Sequence, residues 1–243
     1  MQQTSAPAHE EQNFSPAGTS FMLKLLYAFL GLVVLSIVIN LGGKWLGDRL
    51  VLAGHSEKAD IHEIVIGNSV IAVPENMIRF DRDRRDGAAD RIDLYMRWPA
   101  LDGYSAAAKD DFNHASGRKA IIFVSMEEPV MSRDMSGRFM PIYRSLIERP
   151  STGPGGLTFY QFRQKSGYLN EVLAVSGNGE APYVARCLSG ASAEESLAPC
   201  ERDIRINDAL SLSYRFPREF LGDWQRMDAA IREKAERMIR TAS

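Results

Sequence analysis

Few residues in this chain have the type and spacing that chemistry requires. His55 and His62 stand seven positions apart among Glu57, Asp60 and Glu63 in HSEKADIHE, a donor set a metal ion could use. That spacing is not one of a zinc-protease helix and no cysteine is near, so the stretch reads as a solvated linker. Asp81, Asp83, Asp86 and Gly87 in DRDRRDGAADR suggest a calcium loop. In the EF-hand register, however, Arg85 takes the fifth position, Asp86 the glycine position and Ile92 the place of the bidentate glutamate. Arg82, Arg84, Arg85 and Arg91 offset the acids, which leaves a charged surface turn. The glycines of PSTGPGG (150–156) are short of a phosphate cradle: no Gly-Lys-Ser/Thr follows, and a strand comes next instead of a helix.

Nucleophilic chemistry fares no better. No histidine occurs after His114, so a serine in the C-terminal half lacks its usual base. The chain has no Gly-x-Ser-x-Gly, no Walker loop and no Gly-x-Gly-x-x-Gly opening a helix. Glu127–Glu128 and Glu194–Glu195 are neighbouring carboxylates, and glycosidase-type sites leave no short signature, so acid–base chemistry stays open as a second reading. We therefore expect no catalytic, cofactor or metal-ligating residue, and the one pair with definable chemistry is Cys187 and Cys200.

What positions these residues begins with a membrane segment. Residues 25–43, LLYAFLGLVVLSIVINLGG, run without a charge between Lys24 and Lys44. At 1.5 Å per residue they cover nearly the ~30 Å hydrocarbon core of a bilayer. The leader is long, has Lys24 as its only basic residue, and no small-x-small site follows, so an uncleaved anchor fits better than a signal peptide. The lipid bilayer is thus the expected partner of residues 21–43, with a disordered tail before it (1–20) and a stalk or linker after it (44–61). Lys44, Arg49 and Lys58 against Lys24 would place the C-terminal side in the cytoplasm. That rule weakens for a long following domain, and the cysteines argue for an oxidising compartment; the expectation is an inner-membrane protein with its domain in the periplasm.

Residues 1–43 hold one of the 29 basic side chains and two of the 31 acidic ones, so the remainder carries 28 against 29, a net of −1. Such a balance argues against nucleic acid as a partner, which needs a basic surplus. The pattern from residue 62 to 243 predicts a single α+β domain. A hairpin is expected over 64–73 around Gly67-Asn68, and a half-buried strand in RIDLYMRW. Residues 119–125 read as a central strand, and 106–113 as a short helix capped by Ser105. A loop with a short element after Pro141 follows, with further loop over 150–156. An antiparallel meander then occupies 157–216 in sequential order. An amphipathic helix over 217–240 closes the chain, its stripe Phe220, Trp224, Met227, Ile231, Ala235 and Met238 packing on the sheet through Trp224. Asp228–Arg232, Glu233–Arg237 and Glu236–Arg240 are spaced for i,i+4 pairs.

The segments RIDLYMRWPALDGYS and FPREFLGDWQRMD resemble those of uncharacterised single-pass membrane-anchored proteins of alphaproteobacteria. The resemblance implies a Gram-negative envelope and no known activity, and no site residue is carried over. The reading is a membrane-tethered structural or interaction module with an envelope protein as partner; an envelope hydrolase acting on peptidoglycan or glycans through carboxylates is the alternative.

Cys187 ends one expected strand and Cys200 begins the next. A bridge between them closes a loop of 14 residues, 187 to 200 inclusive. It would contribute about 3 kcal/mol, chiefly by restricting the unfolded chain; two separate buried thiols are the other arrangement the sequence allows. Alkylating freshly quenched, denatured cells without reductant should leave both thiols unlabelled. Labelling of both would remove the bridge and turn the charge asymmetry around the span into an argument for a cytoplasmic domain.

Overall fold

The computed structural model describes residues 19–51, 54–117, 119–177 and 182–240. The expected tail up to residue 18, and most of the GNGE turn at 177–180, lie outside the described residues. Helix α1 (Thr19–Val51) is continuous over 33 residues. Within it Phe21–Asn40 has a mean hydropathy of 2.5 and no buried side chain, and is long and apolar enough to cross a membrane. The helix runs on past Lys44 to Val51, and Gly54 stands at a φ of +138°.

The domain is α+β. Strands β1 (Ile61–Ile66) and β2 (Ser69–Pro74) form the expected hairpin, with Ile66 opposite Ser69 and Gly67-Asn68 as the turn. Gly67 sits at φ +54°, in the left-handed region that favours glycine, with the Glu128 carboxylate lying over it. Ile64, Ile66, Ile71 and Val73 all turn inward. The charged turn contains a two-residue strand, β3 (Gly87–Ala88), laid parallel against β1.

A second, eight-stranded sheet holds the rest. Its strands are β4 (Arg91–Arg97), β5 (Ile121–Glu127), β6 (Ile147–Thr152), β7 (Thr158–Phe162), β8 (Glu171–Ser176), β9 (Tyr183–Leu188), β10 (Cys200–Asn207) and β11 (Leu210–Phe216). They run antiparallel in the order β4-β5-β11-β10-β9-β8-β7-β6, so the meander over 157–216 is sequential, as expected. One face meets the β1–β2 hairpin and the C-terminal helix in the main core, which includes Ile92, Leu94, Ile122, Ile204, Leu212, Tyr214 and Phe216. On the outer face, residues 101–117 with helix α2 (Lys109–Phe112) pack Tyr104, Ala108 and Phe112 over Tyr95 and Ile121. Farther along, residues 130–146 pack Met135, Phe139 and Tyr143 over Phe162, Leu173, Val175 and Val184. Helix α4 (Ala191–Glu195) lies in the β9–β10 connection, and α3 (Arg144–Leu146) precedes β6.

Four local expectations change. Strand β5 lies second from the edge and not at the centre; its apolar run arises because both of its faces are covered. The element expected after Pro141 starts before it, as a π-helical turn over Phe139–Tyr143 in which Ile142 and Tyr143 N–H both reach Arg138 O. The wide turn accommodates a residue with no N–H to give. Residues 150–152, read as loop, belong to β6, where Pro150 is tolerated on an edge strand at a register shift.

The fourth change concerns the helix. Residues 218–223 are 3-10 helix, α5 proper spans Trp224–Met238, and β12 (Ile239–Arg240) peels off to pair with β2. Met227, Ile231, Ala235 and Met238 are its buried stripe. Trp224 is only half-buried: its ring lies 4.3 Å from that of Tyr183, and its Nε1 donates to Gly155 O at 3.0 Å. Asp228 does not pair with Arg232 but is drawn under the sheet, whereas Glu233 and Arg237 do pair. Met227→Ala should cost about 2–5 kcal/mol, as a fully buried side chain does. Trp224→Ala should cost about 1–2 kcal/mol, in keeping with its partial burial. Urea denaturation of the full chain in detergent micelles, followed by near-UV circular dichroism, measures both; a larger loss for Trp224 would make the ring the anchor.

Candidate functional site

The strand registers build a polar strip across the outer face between the two covering segments. Alternation points Arg91 and Asp93 of β4, Ser125 and Glu127 of β5, Ser211 and Ser213 of β11, and Glu201, Asp203 and Arg205 of β10 the same way. Pairing then sets Asp93, Ser125, Ser213 and Asp203 side by side, and likewise Arg91, Glu127, Ser211 and Arg205. Along the inner edge of this strip the 130–143 segment leans over β9, β10 and β11 and closes a cleft of about 350 Å³. Its charged lining is Arg133, Asp134, Arg138, Arg186, Glu201, Asp203 and Arg205, together with Glu127.

Most of these charges answer one another. Arg138 pairs with Asp203. Arg186 Nη2 donates to Glu201 Oε1 at 2.9 Å and Nη1 lies 3.5 Å from Glu171 Oε2. Burial pushes the Asp203 carboxyl above the usual carboxylate range against the opposing pull of Arg138, and burial does the same to Glu171 against Arg186. Tyr143, packed in the cleft wall, is pushed up to about 12 by burial. Asp134 accepts from the backbone N–H of Gly137 at 2.9 Å and of Arg205 at 3.4 Å. The Nε atoms of Arg138 and Arg186 are buried without an acceptor among the described residues. Beside the cleft, Val130 (89% exposed), Met131 (55%), Met140 (57%) and Ile142 (40%) stand in solvent.

The cleft lies over a seam. Strands β9 and β10 pair at only two positions, Cys187 with Cys200 and Arg186 with Glu201, although each runs on for several residues. Cys187 and Cys200 are disulfide-bonded with a Cα–Cα separation of 4.0 Å, and both are buried. Beyond them the strands part, and Arg202, 5% exposed, fills the gap. Its Nη1 donates to Val184 O at 2.9 Å and to Ser136 Oγ at 3.0 Å, while Nε donates to Asp228 Oδ1 of α5 at 2.9 Å. Tyr214 Oη donates to the same Asp228 oxygen at 2.6 Å, and the guanidinium lies 4.4 Å over the Tyr183 ring.

Sequence reasoning missed the cleft. The signal it could have used is CERDIRIN, whose period-two alternation turns Glu201, Asp203 and Arg205 to one face and Arg202 to the other. Of the neighbouring carboxylates it did single out, Glu127 lines the cleft and lies 3.8 Å from Arg91. Glu128 packs over Gly67 instead, and Glu194 and Glu195 lie exposed on α4. Of the glycines of 150–156, Gly156 lines a shallow recess with Pro150, Thr152 and Thr158, while a Cβ on Gly155, at φ +62°, would meet Leu221 O at 2.8 Å, so that glycine seats the residues leading into α5.

No protein-family model and no curated protein matches this chain. Among solved structures, the Neisseria meningitidis iron-regulated outer membrane lipoprotein FrpD aligns over 75% of this chain and 96% of its own, with 8% identity and a TM-score of 0.40.

The histidines considered for a metal are held by other partners, and among the described residues no group of three or more ligand-type side chains could hold an ion. His62 lies between Asp86 (3.0 Å) and Glu75 (3.4 Å). Ser56 Oγ donates to Glu75, and the backbone N–H groups of Glu75 and Asn76 reach Asp60 O and Lys58 O, so residues 55–61 lie fastened along the domain instead of spanning free as linker. His55 is stacked on Tyr104 with ring centroids 4.4 Å apart, hydrogen-bonds the Tyr95 hydroxyl through Nδ1 at 2.9 Å, and meets Phe112 edge-on. Burial holds His55 below its ordinary value, with an Asn113 hydrogen bond opposing and the Arg84 charge assisting. The folded state therefore binds fewer protons there than the unfolded chain, so this contribution to stability is present above the unfolded value, about 6.5, and is lost as pH falls below it. Replacing His55 by Phe should flatten the decline of the thermal midpoint of the full chain between about pH 7 and pH 5. An unchanged slope would show that the cage does not discriminate against the imidazolium.

Proposed function

We propose that this chain is a membrane-tethered interaction module of the bacterial cell envelope. In this reading residues 21–43 anchor it in the inner membrane, the domain faces the periplasm, and the outer-face cleft engages a protein partner. What carries the reading is the pairing of neutralised charge with exposed apolar surface. Asp203, Glu201 and Glu171 each face a guanidinium, while Val130, Met131, Met140 and Ile142 stand uncovered on the adjoining rim. Apolar side chains gathered around a polar recess are the make-up of a docking surface. The apolar span of α1 and the disulfide support the anchor and the oxidising compartment, and the resemblance of residues 91–105 and 216–228 to alphaproteobacterial anchored proteins supports a Gram-negative envelope.

The hydrolase reading draws on the raised Asp203 and Glu171 carboxyls. A glycosidase needs an acid and a base with a free space for sugar between them, and here each candidate is closed by an arginine. A photo-crosslinking residue placed at Val130 or Met140 in living cells should give protein adducts of discrete mass that a residue at the exposed Glu236 of α5 does not. Equal labelling from all three positions would remove the docking surface. Peptidoglycan cleavage by the full chain, abolished in Asp203→Asn, would replace the reading with the hydrolase.

A further inference from the structure

Two cations in the cleft are left over once its ion pairs are counted. Arg138 and Arg186 are engaged by Asp203, Glu201 and Glu171. Arg133 and Arg205 have no carboxylate within 4.0 Å among the described residues; the Arg205 guanidinium reaches only the Met131 carbonyl. Asp134, next to Arg133 in the chain, lies within ion-pair distance of neither guanidinium and accepts from two backbone N–H groups instead. The Nε–H groups of Arg138 and Arg186 are buried behind the cleft surface, so Arg133 and Arg205 are the cations open to a ligand. A carboxylate is the acceptor whose planar geometry suits a guanidinium best.

We propose that the cleft receives the carboxylate of a Glu or Asp side chain, carried on an extended segment of the partner protein with apolar residues on either side of that acid. The proposal rests on the interaction reading above and specifies its ligand. Arg133 and Arg205 hold the carboxylate at the mouth, where neither is tied to an acid. The flanking apolar side chains lie on Val130, Met131, Met140 and Ile142, which removes aliphatic surface from water on both sides. Aliphatic rims favour a peptide over a sugar, which stacks on free aromatic faces. Here Tyr143 is buried and Tyr168 is already stacked on Phe162 with centroids 4.4 Å apart.

The test is selection of a random heptapeptide display library on the full chain held in lipid nanodiscs. The selected peptides should be enriched in Asp or Glu next to Leu, Ile or Phe relative to the starting library. A selected peptide, made synthetically, should bind about tenfold or more weakly to the Arg133→Ala/Arg205→Ala double variant, the scale of a lost charge-assisted hydrogen bond. Changing its acid to the amide should cause a matching loss, while Arg133→Lys/Arg205→Lys retains most of the binding. An unchanged thermal midpoint in both double variants separates lost recognition from lost fold. Selected peptides without acid enrichment that are weakened by Val130→Ser/Met140→Ser would overturn the carboxylate proposal and keep the docking surface. If no peptide is selected, both fall. Binding of oligogalacturonate at Arg133 and Arg205 in place of peptides would overturn the proposal in favour of an acidic glycan.

Discussion

The large sheet is two four-stranded halves held at a seam, and the rest of the domain depends on how that seam is closed. Strands β4, β5, β11 and β10 form one half, β9, β8, β7 and β6 the other, and two residue pairs join them. Where strands part, backbone groups lose their ladder partners, and an unpaired buried carbonyl is expensive. Arg202 answers this by donating to Val184 O through the gap while its remaining donors reach Ser136 and Asp228. A guanidinium is suited to the place because its fixed fork of donors can serve three acceptors at once. Taking it out of water costs several kcal/mol, which the carboxylate, the hydroxyl, the carbonyl and the Tyr183 ring must together offset. The disulfide one step away fixes the same seam covalently.

That closure also fixes what lies above and below the sheet. Below, Asp228 ties α5 to β10 and Tyr214, so the helix is held by a polar contact at the turn between its buried Met227 and Ile231. Above, Ser136 ties the 130–146 segment to the same arginine, and Arg138 on that segment then meets Asp203 on β10. The cleft is what remains between a segment pinned at Ser136 and Arg138 and the polar strip of the central strands. Its walls are ion pairs on the sheet, while its rim side chains, Val130, Met131, Met140 and Ile142, face solvent from a segment that Met135, Phe139 and Tyr143 pack onto the sheet. Proton transfer needs a free acid and a free base, and in this cleft Asp203 and Glu201 are each engaged by a guanidinium.

Much of the architecture was legible because it follows from local pattern. The charge-free run before Lys44 required a helix of bilayer length, the period-two alternation of RIDLYMRW and ALSLSYRF required strands, and short connections required the meander. The errors fall where composition and context disagree. Pro150 and its glycine-rich neighbours carry the composition of a loop, yet an edge strand needs ladder hydrogen bonds on one side only and tolerates proline. Trp224 looked like an anchor because large apolar rings usually are. Its indole N–H needs an acceptor, however, and finds Gly155 O at the margin of the core.

By itself, the sequence determined the apolar helix, the α+β class, the order of the meander, the placing of Cys187 and Cys200 at facing ends of successive strands, and the lack of a Gly-x-Ser-x-Gly or Walker signature. Each of these is set by residues close together in the chain. Tertiary structure alone decided that β9 and β10 separate after two pairs, that Asp228 turns from Arg232 to Arg202, and that Arg138 crosses 65 positions to meet Asp203. The reason is physical. Hydrophobic periodicity depends on which face is buried, which a single strand or helix records. The partner of a charge depends instead on which distant segments the fold brings within about 4 Å, and in a chain with 29 cations and 31 acids the pattern offers no way to choose among them.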